Sequence, residues 1–223
     1  PSFHRHTMRL GPAWESILKY HTTTSGRIQA NSQRTQTLNR CKMADTKRTE
    51  ISTLGEFGLI EKLTGEFTQR YKSTVKGVGD DAAVIDMDPR RDGKYALVTT
   101  DLLLEGINFD LVYFPLRHLG YKVVVVGCSD ILAMNGSPRQ ITLSIGISAK
   151  LGVEQLEELY AGVRAACDDY AIDLVGGDTT ASVNGLAISV TVIGEVEKER
   201  VVYRSGAKIN DLICITGDLG AAY

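Results

Sequence analysis

Five carboxylates sit where they could do chemistry. Asp80 and Asp81 follow a glycine-rich stretch in "GVGDDAAVID", Asp101 ends "LVTTD", Asp130 ends "GCSD" inside an otherwise apolar segment, and Asp178 ends "LVGGD". Read locally, Asp81 opens one strand, Asp101 closes the next, Asp130 lies within a helix and Asp178 follows a third strand. Two carboxylates within about 5 Å at an effective dielectric near 20 repel by roughly 3 kcal/mol, which calls for a cation or a shared proton. Carboxylate, hydroxyl and water ligands suit Mg²⁺, and Mg²⁺ held this way completes its shell with substrate phosphates. The chemistry expected is therefore that of a nucleotide. Alternation along a strand sharpens this: Thr99 and Asp101 share a face, Thr100 points away and could reach a metal mainly through its backbone carbonyl, and Asp80 and Asp81 cannot both face one site if both are extended.

Other chemistries fit less well. Gly and Asp are good turn formers, so any one of these motifs alone also reads as a solvated turn; it is their joint occurrence that points to a site. "GVGDDA" matches a dinucleotide fingerprint, but its carboxylates would repel a pyrophosphate and it does not open a helix. No G-x-x-x-x-G-K-[ST] loop occurs. Three of the four histidines lie in residues 1–42, and His118 reads as a surface or packing residue. The four cysteines are far apart, without a CxxC pair, which suits a reducing cytoplasm, and Cys128, Cys167 and Cys214 read as buried packing residues. No Ser, His and acid group suggests itself as a triad from spacing.

The elements that must position these acids are legible as an alternation of helix and strand signals. Residues 53–67 carry a partly apolar helical stripe; 81–87 and 94–101 read as paired strands about the turn "DPRRDG". Residues 115–138 hold four consecutive valines, yet their length and the stop at Asn135, Gly136 and Pro138 predict a buried helix. Residues 140–148 read as a strand, and 152–170 as an amphipathic helix with apolar residues at 153, 156, 159, 163 and 166. Strands follow at 172–180 and 186–196, with Asn184-Gly185 turning between them. "NDLICITGDLGAAY" predicts a new strand and a glycine-rich turn. The fold class expected is α/β, a mixed α+β sheet, with the start of a second α/β domain cut off.

Composition fits a globular chain: 223 residues, 43% hydrophobic and 23% charged, with no run of 18 apolar residues to span a bilayer. The formal charge of −2 hides a split. Residues 1–42 hold seven basic residues and one acid, Glu15, giving +6, so the remainder carries −8. This Ser-, Thr- and Arg-rich leader ends just before "MADTKRTE", which reads like a natural start. A transit peptide, a nucleic-acid-binding arm and a gene start placed upstream of Met43 all remain open, the last being preferred. The expected domains are a leader at 1–42, an amino-terminal domain at 43–195 that carries all five acids, and a linker with the start of a truncated domain at 196–223.

"GVGDDAAVI", "TTDLLLEGINF", "LGYKVVVVGCSDILAMNGSP", "GGDTT" and "YRSGAKINDLICITGDLGAA" occur in the order and approximate spacing of the thiamine-monophosphate kinase family, from about Thr53 to the last residue. That family resembles aminoimidazole ribonucleotide synthetase, selenophosphate synthetase and hydrogenase maturation proteins, which share an acidic ATP site. The resemblance implies the aminoimidazole ribonucleotide synthetase-like fold, whose sheet pairs with a second subunit, and ATP-dependent phosphorylation of thiamine monophosphate to thiamine diphosphate by direct in-line transfer. It implies Mg²⁺ ligands at Asp81, Thr99, Thr100, Asp101, Asp130 and Asp178, and ATP contacts at Tyr160, Gly177, Asp178 and Arg204. Catalytic weight falls on Asp81, Asp101, Asp130 and Arg204. Asn108 takes the place of a histidine common near the substrate, and Gly127 that of a common asparagine. The partners implied are ATP, thiamine monophosphate and a second copy of the chain, in the cytoplasm, with neither nucleic acid nor membrane. The chain by itself is expected to be inactive or nearly so; the alternatives are another ATP-using member of the superfamily, or a non-catalytic dimerisation fragment.

Overall fold

Residues 187–196 alternate strictly between half-buried and buried, with Ile188, Val190, Val192 and Val196 sealed on one face, the signature of a strand deep inside a sheet. The computed structural model, which describes residues 51–87, 93–215 and 217, places it centrally. All described residues lie within the unit Glu50–Tyr223. Expectations for the leader and for the turn residues 88–92 lie outside the described residues.

A 3₁₀ turn at Ile51–Thr53 leads into α1 (Gly55–Thr64), then β1 (Thr74–Lys76), β2 (Ala83–Ile85), β3 (Lys94–Leu104), α2 (Leu116–Ala133), β4 (Ser137–Ser148), α3 (Val153–Tyr170), β5 (Asp173–Ser182) and β6 (Ala187–Glu197). The six strands form one mixed α/β sheet in the order β1-β2-β3-β6-β4-β5. β6 runs antiparallel to both β3 and β4, and β5 is parallel to β4. The Asn184-Gly185 turn therefore makes no hairpin. β6 carries more buried apolar side chains than β5, whose residues Asp173–Ala181 are all exposed, so burial draws β6 past β5 to the centre of the sheet and leaves β5 at its edge.

The valine run forms helix against its strand propensity because Val123 and Val124 are fully buried, and tertiary burial outweighs a preference of a few tenths of a kcal/mol. α2 ends where Asn135 takes a left-handed φ of 60° and the Gly136 N–H donates to the Ile131 carbonyl at 2.9 Å. α2 and α3 cover the same sheet face and touch backbone to backbone: a Cβ on Gly162 would lie 1.8 Å from the Arg117 carbonyl oxygen, and one on Gly120 1.9 Å from that of Leu159. The core consists of the inward residues of β2, β3, β4 and β6 and the facing sides of these helices.

Two expected element positions are corrected. Asp101 and Asp178 lie inside their strands, not at the ends, since pairing with β6 carries β3 on to Leu104 and pairing with β4 carries β5 on to Ser182. Residues 210–215 are not a strand; Leu212 and Ile213 are at least 90% exposed, and a strand without a neighbour leaves its backbone groups unpaired. For the same reason Cys214, expected to pack in the core, is exposed, whereas Cys128 and Cys167 are buried. Apart from Gly217, the turn expected after them lies outside the described residues.

Candidate active site

β3 separates its side chains as strand alternation requires. Thr99, buried, donates to Asp130 Oδ2 at 2.7 Å, and Asp101 faces the same side, under α2. Thr100 points to the opposite face, where its hydroxyl donates to the Val190 carbonyl at 3.2 Å and accepts from Thr191 at 3.1 Å. Its side chain takes no part in the acidic cluster.

Asp101 stands apart from the other acids in its surroundings. Its Oδ2 is buried without a hydrogen-bond partner. Burial first, and the neighbouring Asp130 charge second, hold its carboxyl above the ordinary aspartate value. A buried acceptor left unsatisfied beside a second carboxylate suits a hard cation with oxygen ligands, so these residues fit Mg²⁺.

The other half of the cluster is organised by an arginine. Asp81 Oδ1 accepts from Arg204 Nε at 2.9 Å and Nη2 at 2.5 Å, and Asp80 Oδ1 accepts from the Arg204 backbone N–H at 3.1 Å. Asp80 and Asp81 thus face one segment together, because residues 79–82 form a bend before β2 and are not extended. The Asp80 side chain is 2% exposed and serves as a support, also reaching the Asp81 N–H at 3.2 Å and Lys76 Nζ at 4.0 Å. Arg204 stacks over Phe57 with its guanidinium carbon 5.4 Å from the ring centre. Its pKa is raised, first by the bond to Asp81, and the charges of Asp81, Asp80 and Asp130 add to the effect. Arg204 therefore lies within electrostatic reach of both halves of the cluster. Among the described residues, no three His, Cys, Asp or Glu side chains are gathered closely enough to hold a metal as they stand.

The remaining expected residues fall elsewhere. Tyr160, Gly177 and Asp178 line one cavity of about 630 Å³ beside β5. Asp178 pairs with Ser144, so β5 stands three strands from β3, about 14 Å at ordinary strand spacing, and the sheet does not bring Asp178 to Asp101. Gly177 must be glycine for a local reason: a Cβ there would lie 1.9 Å from the Leu143 carbonyl oxygen. Asn108 lines a separate cavity of about 880 Å³ with Tyr113, His118 and Tyr121. Its Oδ1 is engaged within its own loop, accepting from the Leu104 N–H at 2.9 Å. Gly127 faces the sheet, where an added Cβ would meet Val192 at 2.7 Å, leaving no room for a larger side chain without movement.

Met134 is the residue that sequence reasoning missed. Fully buried at the end of α2, it accepts the Ala82 N–H on its sulfur at 3.1 Å and the Val202 N–H on its carbonyl at 3.2 Å. One residue thereby fixes the loop before β2 and the segment leading to Arg204. No spacing rule reveals a thioether acceptor. Met134→Leu keeps the volume but leaves the buried Ala82 N–H unpaired, and urea unfolding should show a loss of about 1–3 kcal/mol.

The chain matches the family described as "AIR synthase related protein, N-terminal domain" over residues 79–196, just over half of its length. It is 36% identical over 169 residues to the thiamine-monophosphate kinase of Bacillus subtilis, covering 76% of this chain and 51% of that protein. The Aquifex aeolicus protein of the same name is 36% identical over 172 residues, with the same coverage. Among solved structures, AaThiL complexed with AMPPCP and TMP is 35% identical with a TM-score of 0.61, over 74% of this chain and 48% of that one. The chain spans about half the length of the curated relatives it matches.

Proposed function

This chain belongs to the AIR synthase related protein family, matched through that family's N-terminal domain, and on that premise we propose that it carries the ATP- and Mg²⁺-binding part of a thiamine-monophosphate kinase. The reaction is the transfer of the γ-phosphoryl group of ATP to the phosphate of thiamine monophosphate, giving thiamine diphosphate. The observation that carries this reading is the buried, unpartnered Asp101 oxygen beside Asp130, with Arg204 within reach. The names of the similar proteins support the choice of acceptor.

Asp81, Asp101 and Asp130 are the side chains that would hold Mg²⁺ here, with Thr99 fixing the orientation of Asp130 and Thr100 contributing only its backbone. When bound, Mg²⁺ supplies positive charge against the phosphates of ATP. Arg204 adds a fixed planar cation suited to phosphate oxygens. The attacking oxygen already belongs to an anion, so no general base or covalent phosphoenzyme is required, and alignment and charge neutralisation carry the rate. Tyr160, Gly177 and Asp178 share the cavity beside β5, where they would contact ATP. A contact between Asn108 and the acceptor would use its amide hydrogens, since its oxygen is engaged.

The second half of the proposal is assembly. The sheet face opposite the helices exposes Thr100, Leu102 and Leu104 of β3, and this face supports pairing with a second copy. The free thiols Cys128, Cys167 and Cys214 suit a cytoplasmic setting, and no described helix is long and apolar enough to cross a membrane.

Calorimetry of MgATP binding to the full 223-residue chain, beside Asp81→Asn, tests the nucleotide assignment. Binding by the parent that is lost in the variant supports it. Transfer from radiolabelled ATP to a panel of small phosphates tests the acceptor, and a preference for any other acceptor overturns the thiamine assignment.

A further inference from the structure

We propose that Arg204 is a placeholder for the divalent metal: without nucleotide its guanidinium holds Asp81 where the metal would, and metal and nucleotide must arrive together to release it. This deepens the reading above and rests on it.

Three observations carry the inference. Nε and Nη2 of Arg204 converge on the same Asp81 oxygen, and Asp80 pins the arginine's own backbone N–H, so the guanidinium is aimed at the carboxylate expected to bind metal. Its surroundings are those of a counter-ion, with the charges of Asp81, Asp80 and Asp130 all acting on it. It is also free to leave: the Arg204 side chain is 46% exposed against 21% for Asp81, and its other contact, the face of Phe57, is a weak one at a partly exposed site.

The consequence is a coupling. A divalent ion arriving alone must displace the arginine, which then sits as an unpaired cation beside another cation. An ion arriving with nucleotide brings phosphate oxygens on which the guanidinium can settle, so each exchange compensates the other. Metal and nucleotide should bind with positive cooperativity, and free metal should bind poorly.

The probe is Mn²⁺ without nucleotide, titrated by the EPR signal of the free ion, against the parent chain, Arg204→Gln, Arg204→Lys and the double variant Arg204→Gln/Asp81→Asn. Arg204→Gln should bind Mn²⁺ about 3- to 10-fold more tightly, since one partly exposed charge pair and one cation–cation repulsion are removed. Arg204→Lys retains the charge and should stay near the parent, and the double variant should lose the gain. Thermal melts followed by circular dichroism establish that each variant is folded. Mn²⁺ affinity in Arg204→Gln equal to or weaker than the parent's, or a gain that survives Asp81→Asn, overturns the placeholder. Because these titrations contain neither ATP nor thiamine monophosphate, a gain in Mn²⁺ affinity without MgATP binding would retain Arg204 as the occupant of the metal position but overturn its coupling to nucleotide and count against the kinase reading. MgATP binding without that gain would do the reverse.

Discussion

Asp101→Asn should lower the affinity for MgATP by at least about 100-fold while leaving the fold as stable as the parent or more so. The loss should exceed the 10- to 100-fold that removal of an outer-shell partner of a metal ligand commonly costs, because Asp101 is proposed to touch the metal itself. The gain in stability follows from the same carboxylate. Its pKa is raised in the folded chain by burial and by Asp130, so the folded state binds its proton more tightly than the unfolded state does. That contribution is fully present below the ordinary aspartate value and is lost as pH rises through the raised one. At neutral pH the parent therefore holds an ionised group that opposes folding, and asparagine removes it. Calorimetry and thermal melts on the same samples check both halves, and the difference in Tm between variant and parent should shrink on acidification. Reduced stability at neutral pH would mean that Asp101 has a partner the described geometry does not show, and unchanged MgATP affinity would remove it from the site.

Gly162→Ala should have the largest effect on stability, a loss of about 3 kcal/mol or more. The new methyl would sit 1.8 Å from the Arg117 carbonyl oxygen and 2.9 Å from the Tyr121 nitrogen, both backbone atoms with no rotamer to yield. α2 and α3 would have to separate, and Leu119, Val123, Leu159 and Val163, all buried, would lose their packing. Alanine's better helix propensity offsets only about 1 kcal/mol of this. Urea unfolding measures it. Because α2 carries Asp130 and ends at Met134, a partly folded variant should also lose the hydrogen bonds made by Thr99 and Ala82. A midpoint equal to the parent's would show that the helices are not in backbone contact.

The elements themselves were legible because each is written in a local period. The apolar positions 153, 156, 159, 163 and 166 lie on one helical stripe, and α3 spans Val153–Tyr170. Residues 186–196 read as a strand, and β6 runs from Ala187 to Glu197. The same alternation put Thr99 and Asp101 on one face and Thr100 on the other, which the hydrogen bonds of all three threonines in the neighbourhood bear out. Motif order also carried the α/β class and the family resemblance, since those depend on residue type and spacing along the chain.

Strand order was not legible. Asn184-Gly185 looks like a hairpin turn, yet the strand after it crosses to lie between β3 and β4, because its buried face is satisfied only at the centre of the sheet. Nor was the bend that turns Asp80 and Asp81 to one partner, because alternation applies only to extended backbone. The arginine that meets them stands 123 positions from Asp81, and the thioether that holds the loop stands 52 positions from Ala82. The sequence by itself determined which acids are candidates for a cation and how Thr99, Thr100 and Asp101 alternate along β3. Which of them meet was decided by the packing of α2 and the sheet, since contacts between distant segments depend on how buried surfaces fit together and leave no period in the chain.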